Sequence, residues 1–249
     1  MKNEISNWLK SYLEQNHLSA FVVGVSGGID SAVTSTLCAT TGIPTIAVNM
    51  PLHSKEENTN LSNLHLEWLT KNFNNVQDDV ICLDSVFDKF AVALKKYNRD
   101  LGFANSKSRL RMVALYQIAA SVNGLVVGTG NKVEDFGVGF FTKYGDGGVD
   151  ISPIADLTKT QVRQLAAEFG IARAIIEATP TDGLWEDARS DEDQIGASYE
   201  ELEWAMNYIE NNITYDLTSR QKEVIMIYNN FNQSNAHKMR NIPVFKVER

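Results

Sequence analysis

Apolar positions along the 249-residue chain change period repeatedly, and each change marks an element. Residues 2–16 place Ile5, Trp8, Leu9, Tyr12 and Leu13 three and four apart, which predicts an amphipathic helix. Ala20-Phe21-Val22-Val23-Gly24-Val25 is a short continuous apolar run of strand type. Ser26-Gly27-Gly28-Ile29 must turn the chain, and Asp30 to Thr41 reads as a helix. Pro44 to Met50 predicts a second strand, and residues 55–73, with Leu61, Leu64, Leu66, Trp68 and Leu69, a helix. Val76 to Leu83 reads as a third strand, followed by helices over 84–97 and 106–122. Leu125-Val126-Val127-Gly128 is the fourth strand.

Strands alternating with helices across short turns imply an α/β fold, a parallel sheet with helices on both faces. Ligands of such sheets lie beyond the carboxyl ends of the strands. The loops at 26–31 and 129–134 both follow strands, so chemistry is expected there. The character then changes. Residues 136–150 hold Gly137, Gly139, Gly145, Gly147 and Gly148 and read as a loop. Thr158 opens a helix over 158–169, Asp182 to Glu203 is strongly acidic, and 199–211 and 218–231 predict a helical C-terminal part. No internal repeat is visible, and residues 1–249 are expected to form a single domain.

Charge narrows the partners. Lys and Arg number 23 against 31 Asp and Glu, a net −8, which argues against nucleic acid or an anionic membrane as partner. A basic pocket for a small anion is compatible with that balance. Cys38 and Cys82 stand apart in apolar contexts and are expected to be buried, reduced thiols. The first residues lack a signal-peptide layout, and no apolar run approaches the roughly 20 residues that span a bilayer. A cytoplasmic protein is expected.

Four motifs carry candidate chemistry. Gly24-Val25-Ser26-Gly27-Gly28-Ile29-Asp30-Ser31 joins a strand to a helix. Glycines let the backbone approach a ligand, and a helix start offers free N–H groups and a positive dipole end, so this is an anion cradle. Asp30 is negative and unsuited to direct phosphate contact, a conflict that a bridging Mg²⁺ removes. A tight turn with Asp30 as helix cap is the competing reading. Asn105, Lys107, Arg109 and Arg111 form a basic helix segment, with Arg109 and Arg111 on different faces. Gly128-Thr129-Gly130-Asn131-Lys132-Val133-Glu134 repeats the strand-to-turn pattern, and Glu134 is a candidate second carboxylate for the metal. Phe140 to Asp150, which includes Thr142-Lys143-Tyr144-Gly145-Asp146, is too charged and glycine-spaced for a mere connector.

Ser-Gly-Gly-x-Asp-Ser resembles the pyrophosphate loop of the N-type ATP pyrophosphatases, which cleave ATP between its α and β phosphates. The ordered set, with Asn-x-x-x-Arg-x-Arg-Met, Gly-Thr-x-Asn-x-x-Glu and Thr-Lys-Tyr-Gly-Asp, resembles the ammonia-dependent NAD synthetase family over essentially the whole chain. The resemblance implies an adenine nucleotide alpha hydrolase-like, Rossmann-like sheet. It implies amidation of nicotinic acid adenine dinucleotide (deamido-NAD) by ammonia, with ATP adenylating the pyridine carboxylate and AMP and pyrophosphate released. By position, Gly24, Val25, Ser26, Gly27, Gly28, Ile29, Asp30, Ser31, Thr129, Lys159 and Thr181 match the family's ATP contacts. Arg109, Lys143, Asp150, His237 and Lys238 match its dinucleotide contacts. Asp30 and Glu134 match its Mg²⁺ carboxylates, and Asp30, Lys143 and Asp150 stand as the catalytic set. Taken alone, a solvated lysine at a helix start is the competing, less favoured reading of Lys159. The family also implies a homodimer, with Trp8, Tyr12, Leu110, Met112 and Tyr116 as candidate interface groups, and no amidase domain. The run Leu184 to Glu192 departs from the family in lacking a Gln, and the loop at 182–195 is expected to close over substrate. The alternatives are another ATP pyrophosphatase, such as a tRNA-modifying enzyme, or a non-catalytic ATP sensor.

Overall fold

In the computed structural model, residues 1–181, 190–213 and 215–247 are described. Four strands form one sheet: β1 (Ala20–Gly24), β2 (Thr45–Asn49), β3 (Val76–Val80) and β4 (Gly124–Val127). Their order is β3-β2-β1-β4, and every pairing is parallel. Ile151 adds an isolated parallel bridge to Val127 at the outer edge of β4. The helices are α1 (Lys2–Gln15), α2 (Ile29–Thr40), α3 (Glu56–Asn72), α4 (Asp84–Ala93), α5 (Asp100–Ser121), α6 (Lys159–Phe169), α7 (Arg173–Ile176), α8 (Asp191–Ile195), α9 (Tyr199–Glu210) and α10 (Ser219–Met239). A π-helical turn spans Lys132–Val138.

The two-residue period of the strands sorts the core onto both sheet faces. Phe21, Val23, Leu125 and Val127 point to one side, where α1, α2 and α6 cover them with Leu9, Leu13, Val33, Leu37 and Leu165. Val22, Val48 and Val126 point to the other and meet Phe87 of α4 and Met112 and Leu115 of α5. A third cluster lies outside the sheet. The π-helical turn, α8, α9 and α10 pack Val133, Val138, Leu202, Val224 and Tyr228 together. The expected α/β class and helical C-terminal part are both present.

Several boundaries differ from the expected ones, and α4 ends at Ala93 rather than 97. α5 begins at Asp100 rather than 106, α10 continues to Met239 rather than 231, and β3 ends at Val80 rather than 83. β3 is one edge of the sheet, and four of its five residues are exposed. The same edge position corrects the expectation for the cysteines. Cys38 is buried in α2, whereas Cys82, just past the edge strand, is exposed. Among the described residues no helix is long and apolar enough to cross a membrane.

Candidate functional site

The strand-to-helix loop after β1 is built around one backbone conformation. Gly27 has φ +89°, and a Cβ there would stand 2.6 Å from the Asn58 carbonyl oxygen, so only glycine fits. The N-cap of α2 is Gly28, with no side-chain hydrogen bond, which leaves the first-turn N–H groups without an intrahelical partner. Asp30 is therefore the second helical residue and not the cap. Ser31 braces the turn: its hydroxyl donates to Gly28 O at 2.8 Å and accepts from Ser26 N–H at 3.2 Å. Ser26 and Gly28 are exposed. The loop presents backbone donors and the positive end of a helix to solvent, an anion-binding arrangement.

Beside this loop lies a cluster drawn from three distant segments. Lys159 is only 2% exposed, and its Nζ donates to Asp30 Oδ2 at 2.6 Å and Glu134 Oε1 at 2.8 Å. It is not the solvated helix-start lysine of the alternative reading. Thr158 fixes its root as N-cap of α6, in a capping box with Gln161. Asn131, fully buried, accepts from the N–H groups of Val133 and Glu134, each at 3.0 Å, and donates to Asp30 Oδ1 at 3.3 Å. One amide thus caps the π-helical turn and orients both carboxylates. π turns are frequent at functional sites.

Two residues that the sequence reading left out complete the cluster. Tyr199, fully buried in the first turn of α9, lays its ring 4.7 Å from Lys159 Nζ. Its hydroxyl donates to Asp191 Oδ2 at 3.2 Å and also lies within hydrogen-bond reach of Glu134. Asp135 follows Glu134, and its carboxylate fills the space that a Cβ on Gly130 would occupy. The capping box of Ser198 and Glu201 announces the start of α9 in the sequence, but nothing local points Tyr199 at Lys159.

Burial and charge set the protonation pattern. Burial raises Asp30, Lys159 opposes and Glu134 adds to the rise, so its carboxyl stands above the usual range. Burial acts on Glu134 too, but Lys159 with hydrogen bonds from Tyr199 and Asn131 outweighs it and holds Glu134 low. Burial would lower Lys159, yet the two carboxylates hold its ammonium above the ordinary lysine value. Burial and then Asp146, Glu134 and Asp30 push Asp135 well up.

Four of the five expected dinucleotide contacts converge. Arg109 Nε donates to Lys143 O at 3.1 Å, and Lys143 Nζ to His237 O at 2.9 Å. Lys238 Nζ donates to Phe141 O at 2.7 Å. Asp146 ties this loop to α5 by accepting from Ser108 Oγ at 2.5 Å and Thr142 N at 3.1 Å, while Thr142 Oγ1 donates to Asn105 Oδ1 at 2.8 Å. Arg111 diverges from Arg109 as the helical spacing requires, and its Nε donates to Met50 O at 3.0 Å. Asp150 stands apart. Its carboxylate accepts from Tyr116 O–H at 3.0 Å and Val126 N–H at 2.8 Å, lining a shallow cavity of about 360 Å³ with Tyr12 and Tyr116. Thr129 and Thr181 are half-buried. Most of the expected closing loop, including Trp185, lies outside the described residues.

A parallel sheet whose first strand feeds an anion cradle, with a buried lysine and two carboxylates beyond the strand ends, defines a nucleotide-binding protein of the adenine nucleotide alpha hydrolase-like fold. Comparison with known proteins takes this further. The NAD synthase family model matches residues 1–243. An NH(3)-dependent NAD(+) synthetase from Carboxydothermus hydrogenoformans is 37% identical over 206 residues, 80% of this chain and 82% of its own. One from Malacoplasma penetrans is 38% identical over 214 residues, 84% of this chain and 82% of its own. Among solved structures, NMN synthetase from Francisella tularensis superposes with a TM-score of 0.87 at 29% identity, covering 99% of this chain and 97% of that one. NH3-dependent NAD synthetase from Campylobacter jejuni gives 0.80 at 25% identity, covering 98% and 97%. The chain belongs to the NAD synthase family, a family of ligases.

Proposed function

We propose that the chain amidates nicotinic acid adenine dinucleotide with ammonia and drives the step by cleaving ATP to AMP and pyrophosphate. The observation that carries this reading is the Lys159–Asp30–Glu134 cluster standing beside the free N–H groups of the 26–31 loop. A carboxylate is a poor acyl donor, because oxide is a poor leaving group. Its oxygen attacks the α-phosphorus, the bond to the β-phosphate oxygen breaks, and pyrophosphate leaves. Ammonia then attacks the acyl carbon. AMP departs with one former carboxylate oxygen, and a proton is lost from nitrogen. The loop amides and Lys159 bind charge on the phosphates, with Thr129 and Thr181 as further nucleotide contacts. Arg109, Lys143, His237 and Lys238 surround the acid substrate with donors, and Asp150 takes a separate part of it. Catalysis of this kind is mainly positioning and electrostatics.

Asp30 and Glu134 fit a divalent cation of the Mg²⁺ type. They are hard oxygen donors, 17% and 15% exposed, beside a phosphate cradle. Among the described residues no group of three or more His, Cys, Asp or Glu side chains makes a metal site alone, so substrate oxygens and water would complete the shell. Bound there, Mg²⁺ would neutralise charge developing on the phosphates. A homodimer is part of the proposal. Trp8 on α1 and Val113 and Tyr116 on α5 are 46%, 65% and 38% exposed, whereas Met112 is buried within the subunit. Sedimentation at micromolar concentration checks it, and a monomer would remove this element.

The superposition on NMN synthetase supports a second reading, in which the acid substrate is the mononucleotide. The two separate on kcat/KM for nicotinic acid adenine dinucleotide and nicotinic acid mononucleotide, each with ATP, Mg²⁺ and ammonium. The proposal expects the dinucleotide to lead at least tenfold. A lead for the mononucleotide transfers the assignment to the second reading, and no amide from either acid overturns both.

A further inference from the structure

We propose that the Lys159 ammonium is a tethered counter-cation: it holds the Asp30–Glu134 pair in the nucleotide-free protein and must leave that pair before a metal ion can take it. This rests on the reading of Asp30 and Glu134 as the metal-holding carboxylates.

The geometry gives three reasons. An ammonium has three donor directions. Here one meets Asp30 Oδ2 at 2.6 Å and one meets Glu134 Oε1 at 2.8 Å, while the ring of Tyr199 lies 4.7 Å from the nitrogen. Lys159 is 2% exposed, so this cage also shields it from solvent, and in this arrangement two of its donors are committed to the carboxylates. Because the head group is closed off from solvent, a phosphate contact requires it to move. Second, Nζ stands where the two carboxylates converge, the place a divalent ion bridging them would take. Ammonium and metal would then be like charges sharing the same oxygens within a buried site, and the two occupations exclude each other. Third, the root of the side chain is fixed, and the stem beyond it has four rotatable bonds. Thr158 caps the helix with Gln161, and Thr160 N–H donates to Glu203 Oε1 at 2.9 Å, so the Lys159 backbone stays put while a four-carbon stem can swing. Release from the carboxylates and capture by nucleotide phosphate become one motion. Metal affinity without nucleotide is then low by construction, and nucleotide and metal bind together.

The test is Mn²⁺ titration of the full-length, nucleotide-free protein, read from the electron paramagnetic resonance signal of free Mn²⁺. Lys159→Met is expected to bind Mn²⁺ at least tenfold more tightly than the wild type. Lys159→Arg, which keeps a charge between the carboxylates, should stay near the wild type. Equal affinity in wild type and Lys159→Met, or weaker binding in Lys159→Met, overturns the proposal. Asp30→Asn separates the two levels. If it abolishes the binding while Lys159→Met changes nothing, only the counter-cation role fails. If the binding ignores Asp30→Asn, the metal reading fails as well. A measurement on the wild type alone guards against a variant that does not fold. Acetylation of Lys159 by acetic anhydride, quantified by peptide mass spectrometry, should rise at least threefold when Mn²⁺ saturates the protein. Unchanged labelling with metal bound contradicts displacement.

Discussion

Lys159 shows why burial is hard to read from a local sequence. A lysine at the first position of a helix is ordinarily solvated. This one is nearly inaccessible because Asp30, 129 residues away, and Glu134 close over it. The Ser-Gly-Gly-x-Asp-Ser pattern made Asp30 a candidate from the sequence, since a carboxylate at a phosphate-loop helix start demands a cation. Its ammonium partner and the Tyr199 floor follow only from topology. Replacement of Asp30 by Asn leaves Lys159 with Glu134 alone and removes one charged oxygen from the site. Amide formation is expected to fall by roughly 100-fold or more, the scale on which removal of an electrostatic group acts, while thermal unfolding stays cooperative. Full turnover in Asp30→Asn would take the residue out of the reaction. Gly27→Ala meets both a positive φ and the Asn58 carbonyl. It should cost about 1–3 kcal/mol in urea unfolding and weaken ATP binding, and unchanged values of both would show that the loop backbone is not constrained as described.

Elements with polar caps and steady apolar periods were legible, and those punctuated by glycine or long polar runs were less so. Thr158 and Gln161 announce the start of α6, and the structure holds their reciprocal bonds. The onset of α5 at Asp100 is obscured because Gly102 sits in its first turn and reads as a break. The last turns of α10 run through Asn232-Gln233-Ser234-Asn235, poor in apolar signal, yet Asn232 and Asn235 anchor them by donating to Gly137 O and Val138 O. The last of those turns carries His237 and Lys238 to the Lys143 loop. Two capping boxes of one kind allow a matched test. Thr158→Ala and Thr218→Ala each remove a cap and should cost about 1 kcal/mol of stability. Only Thr158→Ala loosens the root of Lys159, so turnover is expected to fall severalfold in that variant and to hold in Thr218→Ala. Equal turnover in the two would mean that the α6 cap has no part in positioning the lysine.

At the scale of the molecule, the fold class was readable because strand and helix periods alternate cleanly, whereas the third, C-terminal core against the π-helical turn was not. That core brings together segments about 100 residues apart, which no local period records. One part of the pH response follows from another long-range packing. His65 of α3 is buried against α2, with its Nε2 3.0 Å from Ser35 Oγ. Burial holds its imidazole down at about 4, against an ordinary 6.5. Between those values the unfolded chain binds the extra proton and the folded one does not. Stability from this group is therefore full above about pH 6.5 and lost as pH falls toward 4, by about 3 kcal/mol at full effect. Urea unfolding at pH 7 and pH 5 should show a smaller loss in His65→Gln than in the wild type, and equal losses would assign the acid sensitivity elsewhere. The central claim is that a nicotinate carboxylate is adenylated at the cradle after β1 and then amidated. Its most direct test is one incubation with nicotinic acid adenine dinucleotide carrying ¹⁸O in the pyridine carboxylate, together with ATP, Mg²⁺ and ammonium. The account predicts one ¹⁸O in AMP for each amide formed, with pyrophosphate in equal amount. Amide formed with ¹⁸O in phosphate or pyrophosphate and none in AMP, or AMP released without label, would contradict it.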